Sequence, residues 1–389
     1  MVSHRCRQYK NCACLWQEKD NLPRAWPSGT LRTVSDSVHN TPPRRSRGAI
    51  SNPANRFESL SLENDPDGTD DFEPSPVRTE FYRDATKTVL TRNSSPDVPF
   101  DLSINPYRGC EHGCVYCFAR PTHEFLGFSS GLDFESRIMV KENAPELLRK
   151  ELAKRSYRPE PIALSPNTDS YQPIERRLKL TRRCLEVLAE CRNPVGIVTK
   201  NALVTRDLDL LQELANYDAV NVFISVTSLD SELRRILEPR TSPPAARLRA
   251  IRELSGAGIP TGVLVAPIIP AINDHEIPKI IAAAAEAGAT SAGHVILRLP
   301  HAVAPMFGEW LDQHFPDRKD KVLNQVRSMR GGELYESQFG RRMTGSGIHA
   351  EKITQIFEIA VRRAKLNGRR HELSTANFRR PQGDQLDLF

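Results

Sequence analysis

The stretch Cys110-Glu111-His112-Gly113-Cys114-Val115-Tyr116-Cys117 places three cysteines within eight residues. Thiolates are soft ligands that suit iron–sulfur clusters and zinc alike. Gly113 gives this loop the backbone freedom to wrap one corner of a cluster. Three thiolates leave one iron of a [4Fe–4S] cluster without a protein ligand, and a substrate or cofactor can bind at that open position. We therefore predict that Cys110, Cys114 and Cys117 hold a [4Fe–4S] cluster.

A structural zinc site is the alternative for the same loop. Structural zinc prefers four protein ligands, and His112 or His123 could supply the fourth. No second pair of cysteines lies close by in the sequence. A chance trio of core cysteines is a weaker alternative, because Glu, His and Gly between the cysteines indicate a loop.

From about residue 100 onward, short β-rich runs alternate with longer amphipathic segments. The predicted strands are 161–165, 195–199, 220–227, 261–266 and 294–299. The predicted helices are 145–155, 175–190, 206–215, 245–255 and 277–287. Apolar strands that alternate with helices imply parallel pairing with the helices outside. The predicted fold class is therefore α/β, a partial or complete (β/α) barrel, in which active residues follow the carboxyl ends of strands.

Two local signals mark helix ends in this region. The segment Asn273-Asp274-His275-Glu276 predicts an N-terminal cap for the helix that follows it. Gly256 and Gly258 predict the break between a helix and the strand that begins at Thr261.

The composition changes along the chain. Residues 1–75 are rich in Ser, Asn, Pro and Arg and lack sustained periodicity, which predicts a disordered or extended tail. The segment 48–57 is an exception, because Phe57 provides an apolar anchor. The remaining predicted divisions are a barrel over 76–305 with its cluster loop near 105–125, a helical extension over 306–380 and a flexible tail over 381–389.

The overall composition favours a chain that stays in the cytoplasm. No apolar run reaches about 18 residues, so we predict no transmembrane helix, and residues 1–14 lack the apolar stretch of a signal peptide. The formal net charge of +6 permits an anionic partner without demanding one. A dense basic group near the end is either a solvated surface or a phosphate-contacting patch: Arg362, Arg363, Lys365, Arg369, Arg370, Arg379 and Arg380.

The Cys-x3-Cys-x2-Cys spacing, with Tyr116 before the last cysteine, resembles the radical S-adenosylmethionine (SAM) superfamily. The resemblance covers roughly residues 100–300 and implies a partial (β/α)6 TIM-type barrel. It implies that the amine and carboxylate of SAM chelate the open iron. One electron, from a flavodoxin- or ferredoxin-type donor, then splits SAM into methionine and a 5′-deoxyadenosyl radical. That radical takes hydrogen from the substrate.

Flanking residues are similar to the DNA-repair-photolyase-like branch of that superfamily, the relatives of spore photoproduct lyase, which reverses a thymine dimer lesion. The segments that carry the similarity are 105–110, 114–120, 165–175, 198–201 and 206–207. This similarity implies that DNA is the partner. Two departures argue against the lyase's own reaction. The loop 165–168 lacks the lyase's hydrogen-returning cysteine, and Phe118 stands where the lyase has a tyrosine.

The resemblance also implies which residues bind the cofactor. Tyr116 is expected against the cluster and the adenine side. The methionine end is assigned to residues that follow successive strands: Ser165, Asn167, Thr168, Lys200 and Ser225. The alternative for Lys200 is a surface lysine, and the alternative for Ser225 is a strand serine bonded to backbone. For Glu175, which ends the similar segment 165–175, the alternative is an acid in the first turn of a helix.

The remaining cysteines have simpler interpretations. Cys184 and Cys191 are spaced as packing residues of one helix, although either could return hydrogen to a product radical. Cys6, Cys12 and Cys14 lie in the tail, which we predict to be dispensable for catalysis, with an auxiliary metal site as the alternative.

The chain ends in Gln385-Leu386-Asp387-Leu388-Phe389, an apolar tip on a polar tail. Exposed apolar anchors of this kind mark recognition sites. The peptide is similar to the bacterial sliding-clamp-binding peptide, with Gln385, Leu386, Leu388 and Phe389 as its anchors. The alternative is a terminus that docks on its own barrel.

Three functions follow from these observations. The first is a radical SAM enzyme that acts on DNA or another nucleic acid in a repair-like reaction. The second is a radical SAM enzyme that modifies a protein, RNA or a small molecule. The third is a non-catalytic metal protein that binds nucleic acid.

Overall fold

The computed structural model describes residues 46–57, 77–366 and 371–381. Its strands are β1 (Glu80–Arg83), β2 (Leu90–Arg92), β3 (Leu102–Ile104), β4 (Tyr107–Arg108), β5 (Arg137–Val140), β6 (Ile162–Leu164), β7 (Val195–Thr199), β8 (Val220–Ser225), β9 (Thr261–Ile268) and β10 (Ser291–Ile296). Its α-helices are α1 (Leu132–Ser136), α2 (Ala144–Ala153), α3 (Glu175–Leu178), α4 (Leu180–Cys191), α5 (Leu208–Ala215), α6 (Ser231–Leu237), α7 (Pro244–Gly256), α8 (Ile277–Glu286), α9 (Val303–His314), α10 (Lys319–Ser328) and α11 (Ile348–Arg363).

The main sheet has seven strands in the order β10-β9-β8-β7-β6-β3-β2. Strands β3 and β6 to β10 run parallel, and β2 pairs antiparallel with β3 at the edge. In register, Ile104 pairs with Leu164, which pairs with Ile197, so the carboxyl ends of these strands lie together. The structure therefore confirms the partial (β/α)6 barrel.

The barrel core is aliphatic on both sides of the sheet, as parallel strands covered by helices require. Ile197 and Val222 of the sheet and Leu188 of α4 are fully buried in one cluster. Cys184 and Cys191 lie in the same cluster with no exposed surface, as the packing interpretation predicts. None of the described helices is long and apolar enough to cross a membrane.

Two predicted helix features are wrong. The helix predicted over 175–190 is two helices, because Lys179 adopts φ 52° between α3 and α4. Asn273 does not cap α8. Its Oδ1 accepts from the Ile269 N–H at 2.6 Å, and its Nδ2 donates to the Thr227 carbonyl at 2.8 Å, so it joins the loops after β8 and β9 instead.

A smaller sheet, in the order β1-β5-β4, was not predicted from the sequence. Strand β4 leads directly into the cysteine loop, and β5 pairs with it through Tyr107 and Val140. This sheet fixes the point at which the cysteine loop leaves the barrel.

A long connection, residues 329–347, links α10 to α11, and we call it the strap. The carbonyl of Met343 accepts from the Ile296 N–H at 2.9 Å, at the edge strand β10. Arg342 donates through Nε to Asp97 at 2.5 Å, in the connection that follows the other edge strand, β2. The strap therefore contacts both edges of the sheet.

Candidate active site

The cysteine loop follows β4 and is held by backbone hydrogen bonds. The Cys110 N–H donates to the Phe134 carbonyl at 2.9 Å, and the Cys117 N–H donates to the Cys114 carbonyl at 3.2 Å. Cys110 and Cys114 are buried, Cys117 is partly buried, and all three are free thiols. The thiols are thus gathered in one enclosed loop.

A buried ion pair supports this loop from behind. Arg120, fully buried, donates to the Cys114 carbonyl at 2.9 Å and to Glu135 at 2.6 Å. Glu135 also accepts from the N–H groups of Gly48 and Ala49, at 3.0 and 2.7 Å. The segment 46–57 is therefore fastened to the loop, although Phe57, its expected anchor, is 58% exposed.

The imidazole of His112 joins the loop to the neighbouring strands. Its Nδ1 lies 3.3 Å from Oδ2 of Asp169, and its Nε2 lies 3.2 Å from Nδ2 of Asn201. Asp169 also accepts from Thr199 Oγ1 at 2.7 Å and from the Lys200 N–H at 2.8 Å. Burial alone would raise the pKa of Asp169, but His112 and these donors lower it to about 2.

The contacts of His112 and His123 argue against a structural zinc site in this loop. Both ring nitrogens of His112 face protein partners, and the ring of His123 lies between Phe128 and Phe134. In the described parts of the chain, no three His, Cys, Asp or Glu side chains converge as they would around a single ion. A [4Fe–4S] cluster spreads its thiolates over separate irons, and soft thiolates are its usual ligands. The donor set fits such a cluster.

The pKa values of the three loop cysteines are all raised, which disfavours free thiolates. Burial raises the pKa of Cys110 well above its ordinary value, and the Asp169 carboxylate and the other two thiols raise it further. Burial also raises the pKa of Cys114 and of Cys117. Coordination to a metal deprotonates a thiol outright. Coordination to a metal would therefore be what deprotonates these three thiols.

A polar group lies beside this loop at the carboxyl ends of β7, β8 and β9. Lys200 Nζ donates to Ser225 Oγ at 2.6 Å and to the Ala266 carbonyl at 3.0 Å, and it lies 5.9 Å from the ring centre of Tyr116. Three of the residues predicted for the cofactor thus meet in space. Ser225 also donates to the Ala266 carbonyl at 3.2 Å, which is the backbone bond that its alternative interpretation expects.

Glu238 is the central acid of this group, and the sequence did not single it out. It is fully buried, lies 3.6 Å from Lys200 Nζ, and accepts hydrogen bonds from the Tyr116 hydroxyl and Arg247. Burial would raise the pKa of Glu238, but Arg247 and Lys200 hold it well below its usual range. The sequence signal that could have pointed to Glu238 is its position in the connection after the predicted strand 220–227.

The loop after β6 holds the other predicted cofactor residues. Ser165 adopts φ 57°, and within the described residues neither its buried hydroxyl nor that of Thr168 has a hydrogen-bond partner. Asn167 is exposed, and its N–H donates to Asn105 at 3.2 Å. Unpartnered buried hydroxyls are costly unless a ligand or water satisfies them. These two hydroxyls fit a polar ligand at the barrel mouth.

Glu175, by contrast, is committed to the protein. It accepts from the Tyr107 hydroxyl at 2.5 Å and from Arg206 at 2.9 Å, and it is fully buried. Glu175 therefore joins the loops after β6 and β7. It does more than a first-turn acid that only interacts with the helix dipole of α3.

Comparison with known proteins places this geometry in a family. The Radical SAM superfamily matches residues 104–284. The uncharacterized protein Rv2578c of Mycobacterium tuberculosis is 40% identical over 240 residues, which span 61% of this chain and 71% of that protein. A protein of Pseudomonas phage M6, named Radical SAM Nalpha-GlyT isomerase, is 25% identical over 252 residues, which span 63% of this chain and 50% of that protein.

The fold also resembles a solved structure. Spore photoproduct lyase, complexed with dinucleoside spore photoproduct, matches with a TM-score of 0.52 at 18% identity, over 73% of this chain and 79% of that chain. The match concerns the fold alone. Because these matches coincide with the three-cysteine loop at the mouth of the partial barrel, the non-catalytic alternative is set aside. The chain belongs to the radical SAM superfamily, whose enzymes use a [4Fe–4S] cluster and SAM.

Proposed function

We propose that this radical SAM enzyme acts on DNA or another nucleic acid in a repair-like reaction, with its cluster held by Cys110, Cys114 and Cys117. The cofactor site in this proposal is supported by the meeting of this loop, through Tyr116, with Lys200 and Ser225 at the carboxyl edge of the barrel. When bound at this site, the [4Fe–4S] cluster and SAM would supply radical chemistry that removes a hydrogen atom from the substrate.

The chain's own residues orient the cofactor in this proposal. We assign to the ammonium of Lys200 a charge-assisted contact with the SAM carboxylate. Tyr116, held through its hydroxyl by Glu238, covers the adenine side. The hydroxyls of Ser165 and Thr168 supply the donors and acceptors that the protein leaves unpartnered, and Asn167 lies beside them with its side chain exposed.

Two features support a nucleic-acid substrate. The fold is shared with spore photoproduct lyase, whose structure holds a dinucleoside photoproduct. Phe118, directly after Cys117, has 45% of its surface exposed, and exposed aromatic rings are stacking platforms for bases. The basic C-terminal group is weaker support for a nucleic-acid substrate. Arg379 and Arg380 already donate to the backbone carbonyls of Glu190 and Leu152.

The reaction differs from that of the lyase in how the product radical is resolved. Cys184 and Cys191 are fully buried in α4 and therefore do not replace the missing cysteine of the loop 165–168. A second candidate function is the modification of a protein, RNA or a small molecule. It is retained because the phage protein is named as an isomerase, a reaction type other than that of a lyase.

The proposal includes two protein partners, an electron donor and the sliding clamp. A flavodoxin- or ferredoxin-type protein donates the electron. The peptide anchored by Gln385, Leu386, Leu388 and Phe389 binds the sliding clamp, although it lies outside the described residues. Two or more apolar anchors at about 1.5–3 kcal/mol each, less ordering costs, correspond to roughly micromolar affinity. Calorimetry with the clamp and a peptide that ends at Phe389 tests this, and equal heats after Leu388→Ala and Phe389→Ala would rule it out.

The experiment for the main proposal compares substrates directly. The anaerobically reconstituted protein is incubated with SAM, a reductant and either damaged DNA or RNA, and the nucleosides are then digested and analysed by mass spectrometry. We expect altered nucleosides that depend on SAM and are absent with Cys110→Ala. SAM cleavage without any altered nucleoside would favour the protein or small-molecule substrates of the second candidate function.

A further inference from the structure

Arg298 lies just beyond the carboxyl end of β10, at the mouth of the barrel. Among the described residues, no carboxylate forms an ion pair with it. Its Nη1 lies 3.3 Å from the sulfur of Met343, a weak acceptor, and its Nε is buried without a hydrogen-bond partner. A partly buried guanidinium without an anion is costly, so this side chain is available for a ligand.

Two aromatic rings flank this guanidinium. Its Cζ lies 5.1 Å from the ring centre of Phe118 and 5.9 Å from that of Tyr335. Phe118 belongs to the cysteine loop, and Tyr335 belongs to the strap. Arg298 therefore sits between the predicted cluster and the segment that contacts both sheet edges.

The surrounding charges leave this region positive. Arg330 is buried and donates to the Leu297 carbonyl at 2.8 Å, and burial followed by the charge of Arg298 lowers the pKa of Arg330 to about 10. Arg342 is neutralised by Asp97. Within the described chain, neither Arg298 nor Arg330 forms an ion pair, although Asp97 interacts electrostatically with Arg298 and Glu336 with Arg330. The guanidiniums outnumber these carboxylates, so an anion is attracted here.

We propose that Arg298 binds a backbone phosphate of a nucleic-acid strand while the exposed ring of Phe118 stacks on an adjacent base. This assignment rests on the proposed function and names the substrate contact of that same site. A nucleotide presents an anionic phosphate next to a flat ring, and Arg298 beside Phe118 matches both parts. Since Phe118 follows Cys117, a base stacked on it lies beside the cluster loop.

The test measures DNA binding by the reconstituted full-length chain. The probe is a fluorescent single-stranded DNA of about 12 nucleotides, titrated at roughly 50 to 200 mM salt. Arg298→Met should raise the dissociation constant about tenfold and reduce the slope of log affinity against log salt by about 0.7, because one phosphate contact is lost. Arg298→Lys should keep the slope. Phe118→Ala should weaken binding about tenfold with the slope unchanged.

Arg252→Met is the matched control, because Arg252 is an exposed arginine of α7 and its loss removes the same charge. If Arg298→Met behaves as Arg252→Met while the parent protein binds DNA, the Arg298 site is overturned and the proposed function stands. If the parent protein does not bind the probe, the Arg298 site is overturned, and the nucleoside analysis described above decides the proposed function separately. If Arg298→Met fails to fold, judged by its iron content, Arg298→Lys and Phe118→Ala decide. Unchanged binding by Phe118→Ala then counts against the site.

Discussion

Lys200 Nζ donates a 2.6 Å hydrogen bond to Ser225 Oγ, which links the carboxyl ends of two neighbouring strands, β7 and β8. The same ammonium lies 3.6 Å from Glu238. One lysine thus connects the serine and the buried acid that also holds the Tyr116 hydroxyl.

Replacing Lys200 tests this arrangement as a cofactor site. Hydrogen bonds to charged groups contribute about 1.5–3 kcal/mol, so Lys200→Met should raise the SAM dissociation constant at least tenfold. Ser225→Ala removes a neutral partner and should raise it only about fivefold. Calorimetry on reconstituted protein measures both constants. Lys279→Met, an exposed lysine of α8, is the control, and parent-like SAM binding by Lys200→Met would exclude the site.

The three loop cysteines and the two helix cysteines make a matched set. Ala at Cys110, Cys114 or Cys117 should abolish cluster absorption, because each thiolate holds its own iron. Cys184→Ala removes a buried side chain far from the loop in sequence, so it should keep the iron and lose about 1 kcal/mol of unfolding free energy. Iron analysis and urea unfolding measure these effects. Zinc without iron in the reconstituted parent protein would refute the cluster assignment.

The pair Arg247–Glu238 is buried on both sides. Arg247→Met leaves the Glu238 charge without its main partner, and such changes cost about 3–5 kcal/mol. Adding Glu238→Gln to that variant should recover part of the loss, because the buried carboxylate charge that Arg247 had neutralised is then removed. Urea unfolding of the cluster-free protein measures the three free energies. Strict additivity of the two single changes would contradict a coupled pair.

Two N-terminal deletions separate the tail from the segment that contacts the loop. A chain that begins at residue 46 should keep its iron content, since residues 1–45 were predicted to be dispensable. A chain that begins at residue 58 also loses the N–H donors of Gly48 and Ala49 to Glu135. It should lose roughly 3 kcal/mol of unfolding free energy. Equal stability of the two deletions would show that the segment 46–57 contributes little.

The sequence predicted the barrel because its strands are contiguous apolar runs with clear borders. Strand β7 has the predicted bounds, since Pro194 precedes it and Lys200 follows it. Strand β10 begins three residues before the predicted 294, because Ser291-Ala292-Gly293 carries no apolar pattern. Strand β3 was missed, since three residues are too short to show a periodicity.

The site was only partly predictable. Tyr116, Lys200 and Ser225 could be named because they follow motifs or strand ends, and they meet as expected. Glu238 and Asp169 could not be named from the sequence. A buried acid is recognised by partners that lie far away in sequence, and the local sequence around it looks the same as that around an exposed acid. Whether these residues bind the cofactor stays a prediction.

If the SAM-derived radical takes hydrogen from nucleic acid, an isotope on the nucleic acid must appear in the 5′-deoxyadenosine. The reconstituted protein is given SAM, a reductant and DNA made from perdeuterated nucleotides, and the mass of the 5′-deoxyadenosine formed is measured. We expect incorporation of deuterium from the DNA, and none when Cys110→Ala replaces the parent protein. 5′-Deoxyadenosine formed in the same amount without deuterium would contradict it.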